Sequence, residues 1–241
     1  MVRRAVGIAV LAQGAVLAAL VLTGAVGPVG LGFGAVYGLV CDLLILRGLS
    51  RAGSARVGVA NAITWARCAV VGAVVALAAG SSGPPPPLEL AVAATVALVL
   101  DGVDGRVARV TGTTSEFGSR FDMEVDASLV LALSVAVTPR LGPWILLVGA
   151  ARYLLLLATL LMPRLAEPTP ARLWRKAVAV VQGVVLTAIC TGWLAPPLDA
   201  SVALAAALAL AWSFGTQIHG LLRTELLTVT VAPQPVDAQR G

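Results

Sequence analysis

Four aspartates stand at helical spacings in one short stretch of an otherwise apolar chain. Asp101 and Asp104 are three residues apart, and Asp122 and Asp126 are four apart. They belong to the window DGVDGRVARVTGTTSEFGSRFDMEVD, residues 101 to 126, which holds six of the twelve acidic residues of the protein. On a helix each spacing puts both carboxylates of a pair on one face. Glu124 lies two residues from both Asp122 and Asp126, about 200° around the helix, and should point away. Carboxylates in lipid cost roughly 3 kcal/mol each at the bilayer centre, so the group needs a compensating cation. No Cys or His accompanies it, and an all-oxygen donor set favours Mg²⁺ or Mn²⁺ over zinc. Two divalent ions clamped by four carboxylates suit displacement at phosphorus, where they neutralise phosphate oxygens and steady the leaving group. Gly105, Ala108 and Gly118 leave room beside the carboxylates, and Arg109, one turn after Gly105, is a cation suited to phosphate.

The elements that must hold these residues are membrane helices. The chain of 241 residues is 59% hydrophobic and 12% charged, with a mean hydropathy of +0.94. Soluble domains carry about a quarter charged residues. Apolar runs of about the length that crosses a bilayer recur at roughly 5–26, 29–46, 58–80, 88–109, 114–138, 143–162, 174–194 and 201–221. The first is read as a retained helix, since it is long for a signal peptide and no clear cleavage site follows. Of 17 Lys and Arg residues, 15 fall at the N-terminus, near 47–67, 106–120 and 164–176, or near the C-terminus. With eight spans these segments share one side. The positive-inside rule then turns both termini and the Asp window toward the cytoplasm of a plasma or inner membrane. The basic balance is thereby explained without nucleic acid. Arg140 is essentially the only charge of the opposite loops, and Arg152 is left inside an apolar helix.

The depth of the window follows from helix arithmetic. Leu88 to Leu100 is 13 residues, about 20 Å of helix against a hydrocarbon core of roughly 30 Å. The helix must continue through Asp101, Asp104 and Arg109. A turn containing Gly112 follows, and Thr113 with Glu116 has capping-box spacing, so a new helix is expected near Thr114. The two Asp pairs thus face each other below the cytoplasmic headgroups. The proline run at 80–87 and the segment 163–171 read as loops, 47–57 as a basic linker, and the tail from about 228 as disordered. Cys41, Cys68 and Cys190 have unrelated spacings and read as packing residues, and His219 as interfacial.

The spacing D-x2-D-G-x2-A-R-x8-G-x3-D-x3-D, met at Asp101, Asp104, Gly105, Ala108, Arg109, Gly118, Asp122 and Asp126, resembles the signature of the CDP-alcohol phosphotransferase (CDP-alcohol phosphatidyltransferase) family. Asn61, Thr64 and Arg67 fit the N-x2-T-x2-R pattern that often opens the first core helix of that family. The resemblance covers about residues 58–221. It implies an all-α, polytopic membrane bundle: two additional N-terminal helices (1–50), a six-helix core (51–227) and a tail (228–241). It also implies transfer of a substituted phosphoryl group from a CDP-linked donor, commonly CDP-diacylglycerol, to an alcohol, releasing CMP in phospholipid biosynthesis. The four aspartates would bind two divalent ions, with Asp126 also the general base. Gly105, Ala108 and Gly118 would admit the nucleotide, and Arg109 would contact phosphate. Family members are commonly homodimers.

The acceptor, a small alcohol or sugar phosphate, is not named by these residues. Arg152 is a candidate for binding it, because an unpaired cation mid-membrane is costly; a structural partner is the alternative. Arg175 and Lys176, with Arg172, could join the same pocket or simply obey the positive-inside rule, and Gln182 is a weaker candidate. Met123-Glu124-Val125, between the last two aspartates, is unlike the inserts associated with glycerophosphate or serine enzymes. Competing readings are an intramembrane Mg²⁺-dependent prenyltransferase, a cation transporter, and a catalytically silent membrane protein. The first would separate its acidic motifs in sequence. The second would spread acids over several helices, yet beyond the window Asp42 is the only acid well within a predicted span.

Overall fold

A computed structural model describes residues 2–51, 59–80, 88–112, 116–161 and 173–230. Among these the chain is helical, with no strand. The helices are α1 (Val2–Leu22), α2 (Pro28–Arg51), α3 (Val59–Gly80), α4 (Leu88–Val110), α5 (Glu116–Leu141), α6 (Leu146–Leu161), α7 (Leu173–Cys190) and α8 (Pro196–Thr230), with a 3-10 turn at Pro143–Ile145 before α6. Helix follows helix as the apolar runs predict, with shifts at the ends. α2 runs to Arg51, into the segment read as a linker, and α8 runs to Thr230, past the expected start of the tail. The proline run at 81–87, the segment 163–171, Arg172, the capping threonine Thr113 and residues 231–241 lie outside the described residues.

Among the described residues, four stretches are helical, long and apolar enough to cross a bilayer: Pro28–Gly48, Ala62–Gly80, Pro143–Leu161 and Pro196–Thr216. α1 and α7 have shorter apolar stretches, Val6–Leu22 and Ala177–Cys190. α4 and α5 carry the charged window. Large apolar side chains such as Leu11, Phe33, Leu147, Leu160, Leu208 and Trp212 face outward, as lipid-facing residues of a membrane bundle do and those of a soluble domain rarely do.

α3 is the central helix. Its apolar stretch is 61% buried, against 33% for α2 and 17% for the stretch containing α6. It packs on α1, α2, α4 and α5. Small residues permit this. Gly30 and Gly34 of α2 lie against Gly72, Ala76 and Gly80 of α3 so closely that an added Cβ at Gly34 would sit 2.8 Å from the Ala76 Cβ and 3.0 Å from the Gly72 oxygen. In lipid, where apolar burial drives little association, such close backbone approach is a main source of helix–helix attraction.

The hairpin that carries the Asp window forms for local reasons. α4 continues through Asp101, Asp104 and Arg109, as the length of the crossing requires. It stops where Thr111 N–H bonds the Val107 oxygen and Gly112 takes φ of 64°, a left-handed conformation that glycine adopts without a Cβ clash. α5 then starts at Glu116 and returns into the bundle.

Candidate metal and phosphate site

α4 and α5 bring their aspartates to one end of the bundle, and α3 supplies what lies between them. Arg67 is 1% exposed. Its Nη1 is 2.9 Å from Asp101 Oδ1 and also binds Asp122 Oδ1, while its Nη2 binds Asp126 Oδ1. One turn earlier on the same helix, Thr64 Oγ1 donates to Asp104 Oδ2 at 2.8 Å. Thr64 and Arg67 together therefore touch all four aspartates. Carboxylate oxygens of Asp101, Asp122 and Asp126 lie within 4.8 Å of one another, with Asp104 buried beside them. Among the described contacts, one guanidinium is shared by three of these carboxylates and a threonine hydroxyl meets the fourth.

These residues fit divalent cations. The donors are all carboxylate oxygen, three of them already converge, and a guanidinium sits among them as a cation would. Hard, oxygen-seeking ions match that donor set. The role of Arg67 is the main point that sequence reasoning missed. The residue was legible as part of the N-x2-T-x2-R pattern, with no chemistry attached. The available signal was a cation within an apolar helix, three residues from a hydroxyl, at the depth of the aspartates.

The other candidates are distributed around this cluster. Arg109 is exposed, and its Nη1 folds back over Gly105, 3.4 Å from where a Cβ would stand. Gly118 is exposed in the first turn of α5, one turn before Asp122. Asn61 and Ala108 belong to α3 and α4, and Arg175 and Lys176 to the first turn of α7; their side chains are outside the described set.

Glu124 and Arg152 meet each other. Arg152 Nη2 lies 2.7 Å and its Nε 3.2 Å from Glu124 Oε1. The acid at 124 thus faces α6 instead of the cluster, and the mid-helix cation has a structural partner. Arg152 nevertheless borders a half-open cavity of about 180 Å³ between α5, α6, α7 and α8, whose wall also includes Asp126, Met123, Gly149, Gln182 and Phe214. Gln182 is tied into that wall, its Nε2 donating to the Ala206 oxygen at 2.6 Å. Asp126 therefore meets the Arg67 guanidinium and also lines this half-open cavity.

A helix hairpin thus carries two aspartates on each arm, with Arg109 beside it and a cavity behind its last carboxylate. The chain belongs to the CDP-alcohol phosphatidyltransferase family, whose model matches residues 57–217. Among curated proteins it is similar to the CDP-diacylglycerol–serine O-phosphatidyltransferases of two Helicobacter pylori strains, at 59% identity over 39 residues. That match covers 16% of this chain and spans only 15% of the length of those relatives. No solved structure matches the chain significantly.

Proposed function

We propose that this protein transfers a phosphatidyl-type group from a CDP-linked lipid donor, such as CDP-diacylglycerol, to an alcohol, releasing CMP, with the site open to the cytoplasmic side. The convergence of the four signature aspartates on Thr64 and Arg67 carries this reading. Asp101, Asp104, Asp122 and Asp126 would hold two Mg²⁺ or Mn²⁺ ions, which when bound neutralise the donor pyrophosphate and its departing oxygen. Gly105, Ala108 and Gly118 leave space for the nucleotide, and Arg109 pairs with its phosphates. Arg67 fixes one oxygen of Asp122 and one of Asp126. Asp126 takes the proton of the acceptor hydroxyl. The acceptor oxygen bonds to the lipid-side phosphorus, the bond from that phosphorus to the bridging oxygen breaks, and CMP leaves with the electron pair.

The acceptor occupies the cavity behind Asp126. Arg152, which borders that cavity, would meet its polar groups, and Arg175 and Lys176 remain candidates to join it. Serine is the first acceptor to test, because the partial relatives are named for it. Membership in the family removes the prenyl-transfer and cation-passage readings.

The test is CMP release by the detergent-purified protein from CDP-diacylglycerol across a panel of alcohols, beginning with serine. Turnover should stop with EDTA and return with Mg²⁺ or Mn²⁺. Asp126→Asn should lower the rate by roughly 10² to 10⁴, the usual worth of a general base. Full activity in that variant removes Asp126 as the base, and no release with any alcohol supports a catalytically silent protein.

A further inference from the structure

We propose that the N-terminal helix pair is part of the catalytic unit, with the end of α2 setting the position of Asp122 through Gly48, Phe117 and Phe121. α1 and α2 lie wholly outside the residues that match the family. Yet α2 reaches the hairpin. Gly48 is buried near its C-terminal end, and a Cβ there would run into the Phe117 ring in the first turn of α5. That ring stacks on Phe121, with centroids 6.0 Å apart and planes 13° from parallel. Phe121 is buried and directly precedes Asp122. Successive helix residues are about 100° apart, so the Phe117–Phe121 face adjoins the Gly118–Asp122 face. The opening turns of α5 are therefore touched on two neighbouring faces: by α2 at Gly48, through the partly exposed Phe117 ring stacked on Phe121, and by α3 through Arg67.

α2 has no freedom to retreat from this contact. Its glycines are in backbone contact with α3, the helix that carries Arg67. A bulkier residue at 48 must displace the ring, and with the ring goes the support of Phe121 beside Asp122. Gly48 and Phe117 are thus positioning residues that act through Asp122. The proposal rests on Asp122 holding metal, as proposed above.

The experiment measures Mn²⁺ binding to full-length protein in detergent, from the EPR signal of free Mn²⁺, alongside CMP release and thermal stability. Gly48→Leu should weaken Mn²⁺ binding about tenfold, in the range seen when groups supporting a metal ligand are altered. It should lower kcat while leaving the acceptor KM unchanged. Adding Phe117→Ala to Gly48→Leu makes room for the introduced leucine and should recover most of both losses. Phe117→Ala alone removes the brace without adding bulk, and should weaken Mn²⁺ binding even if Gly48→Leu does not fold. Wild-type Mn²⁺ affinity in Phe117→Ala or in folded Gly48→Leu overturns the proposal, as does a double variant no better than Gly48→Leu. A wild type that binds no Mn²⁺ overturns the metal reading itself, a distinct outcome.

Discussion

Two clusters of arginine and aspartate lie at opposite ends of α5, and they are built differently. In the last turn of the helix Arg140 pairs through Nε with Asp199 of α8, and its Nη2 donates to the Leu194 oxygen at 2.6 Å. Asp199 is fully buried. One cation meets one anion, and the pair closes. At the other end Arg67 meets Asp101, Asp122 and Asp126, with Asp104 held by Thr64. There one guanidinium is shared by three carboxylates. Asp126 and Arg140 are fourteen residues apart, about 21 Å along the helix, so neither cluster can compensate the other. The same residue types make a staple where one cation meets one anion and a carboxylate cluster where one cation is shared.

The largest effect should come from breaking the shared end. Arg67→Gln removes the charge shared by three carboxylates and should lower CMP release by about 10³, near the upper range for loss of one preorganised electrostatic contact. A change of less than tenfold would make Arg67 a packing residue like its outer counterpart. The outer end should respond in stability instead. Arg140→Leu leaves Asp199 buried and unpaired, and should destabilise the bundle by about 3 kcal/mol. Thermal unfolding in detergent measures this, with the remaining folded protein keeping its specific activity. Arg140→Leu with Asp199→Leu should recover most of that stability, because apolar residues replace a matched pair with little loss. Lost specific activity in the folded single variant would erase the distinction between the ends.

Arg152 tests a third balance, with the smallest effect. It forms a one-to-one pair with Glu124 but lies only partly buried beside the cavity. Arg152→Ala should raise the acceptor KM about tenfold, the equivalent of roughly 1.4 kcal/mol, with kcat little changed. An unchanged KM alongside lowered stability would class this pair with Arg140 and Asp199.

Much of this was legible before any tertiary contact. The thirteen-residue run Leu88 to Leu100 is too short to cross a bilayer, so α4 was expected to continue through the aspartates, and it does. Helical spacing separated Glu124 from Asp122 and Asp126, and in the fold Glu124 does turn to α6. What each cation would meet was not legible. Arg67 reads in sequence as one of several basic residues near a helix start, and Arg140 as an isolated loop charge. Asp199 falls just before the apolar run at 201–221, while the helix begins at Pro196 and takes it into the bundle. The contact between Gly48 and Phe117 had no sequence signal beyond a glycine near the end of a helix.

The sequence by itself determined the class of element, the helical pairing of the carboxylates and the chemistry their spacing suits. These depend on hydrophobic run length and helical period, both local quantities. Only the tertiary structure decided which charges close into pairs, which share one partner, and which helix braces the hairpin. Those outcomes depend on close approach between helices far apart in the chain, such as α3 and α5, where Arg67 and Asp126 meet across 59 positions. Small residues on several faces permit such approaches, and only packing of the whole bundle selects among them.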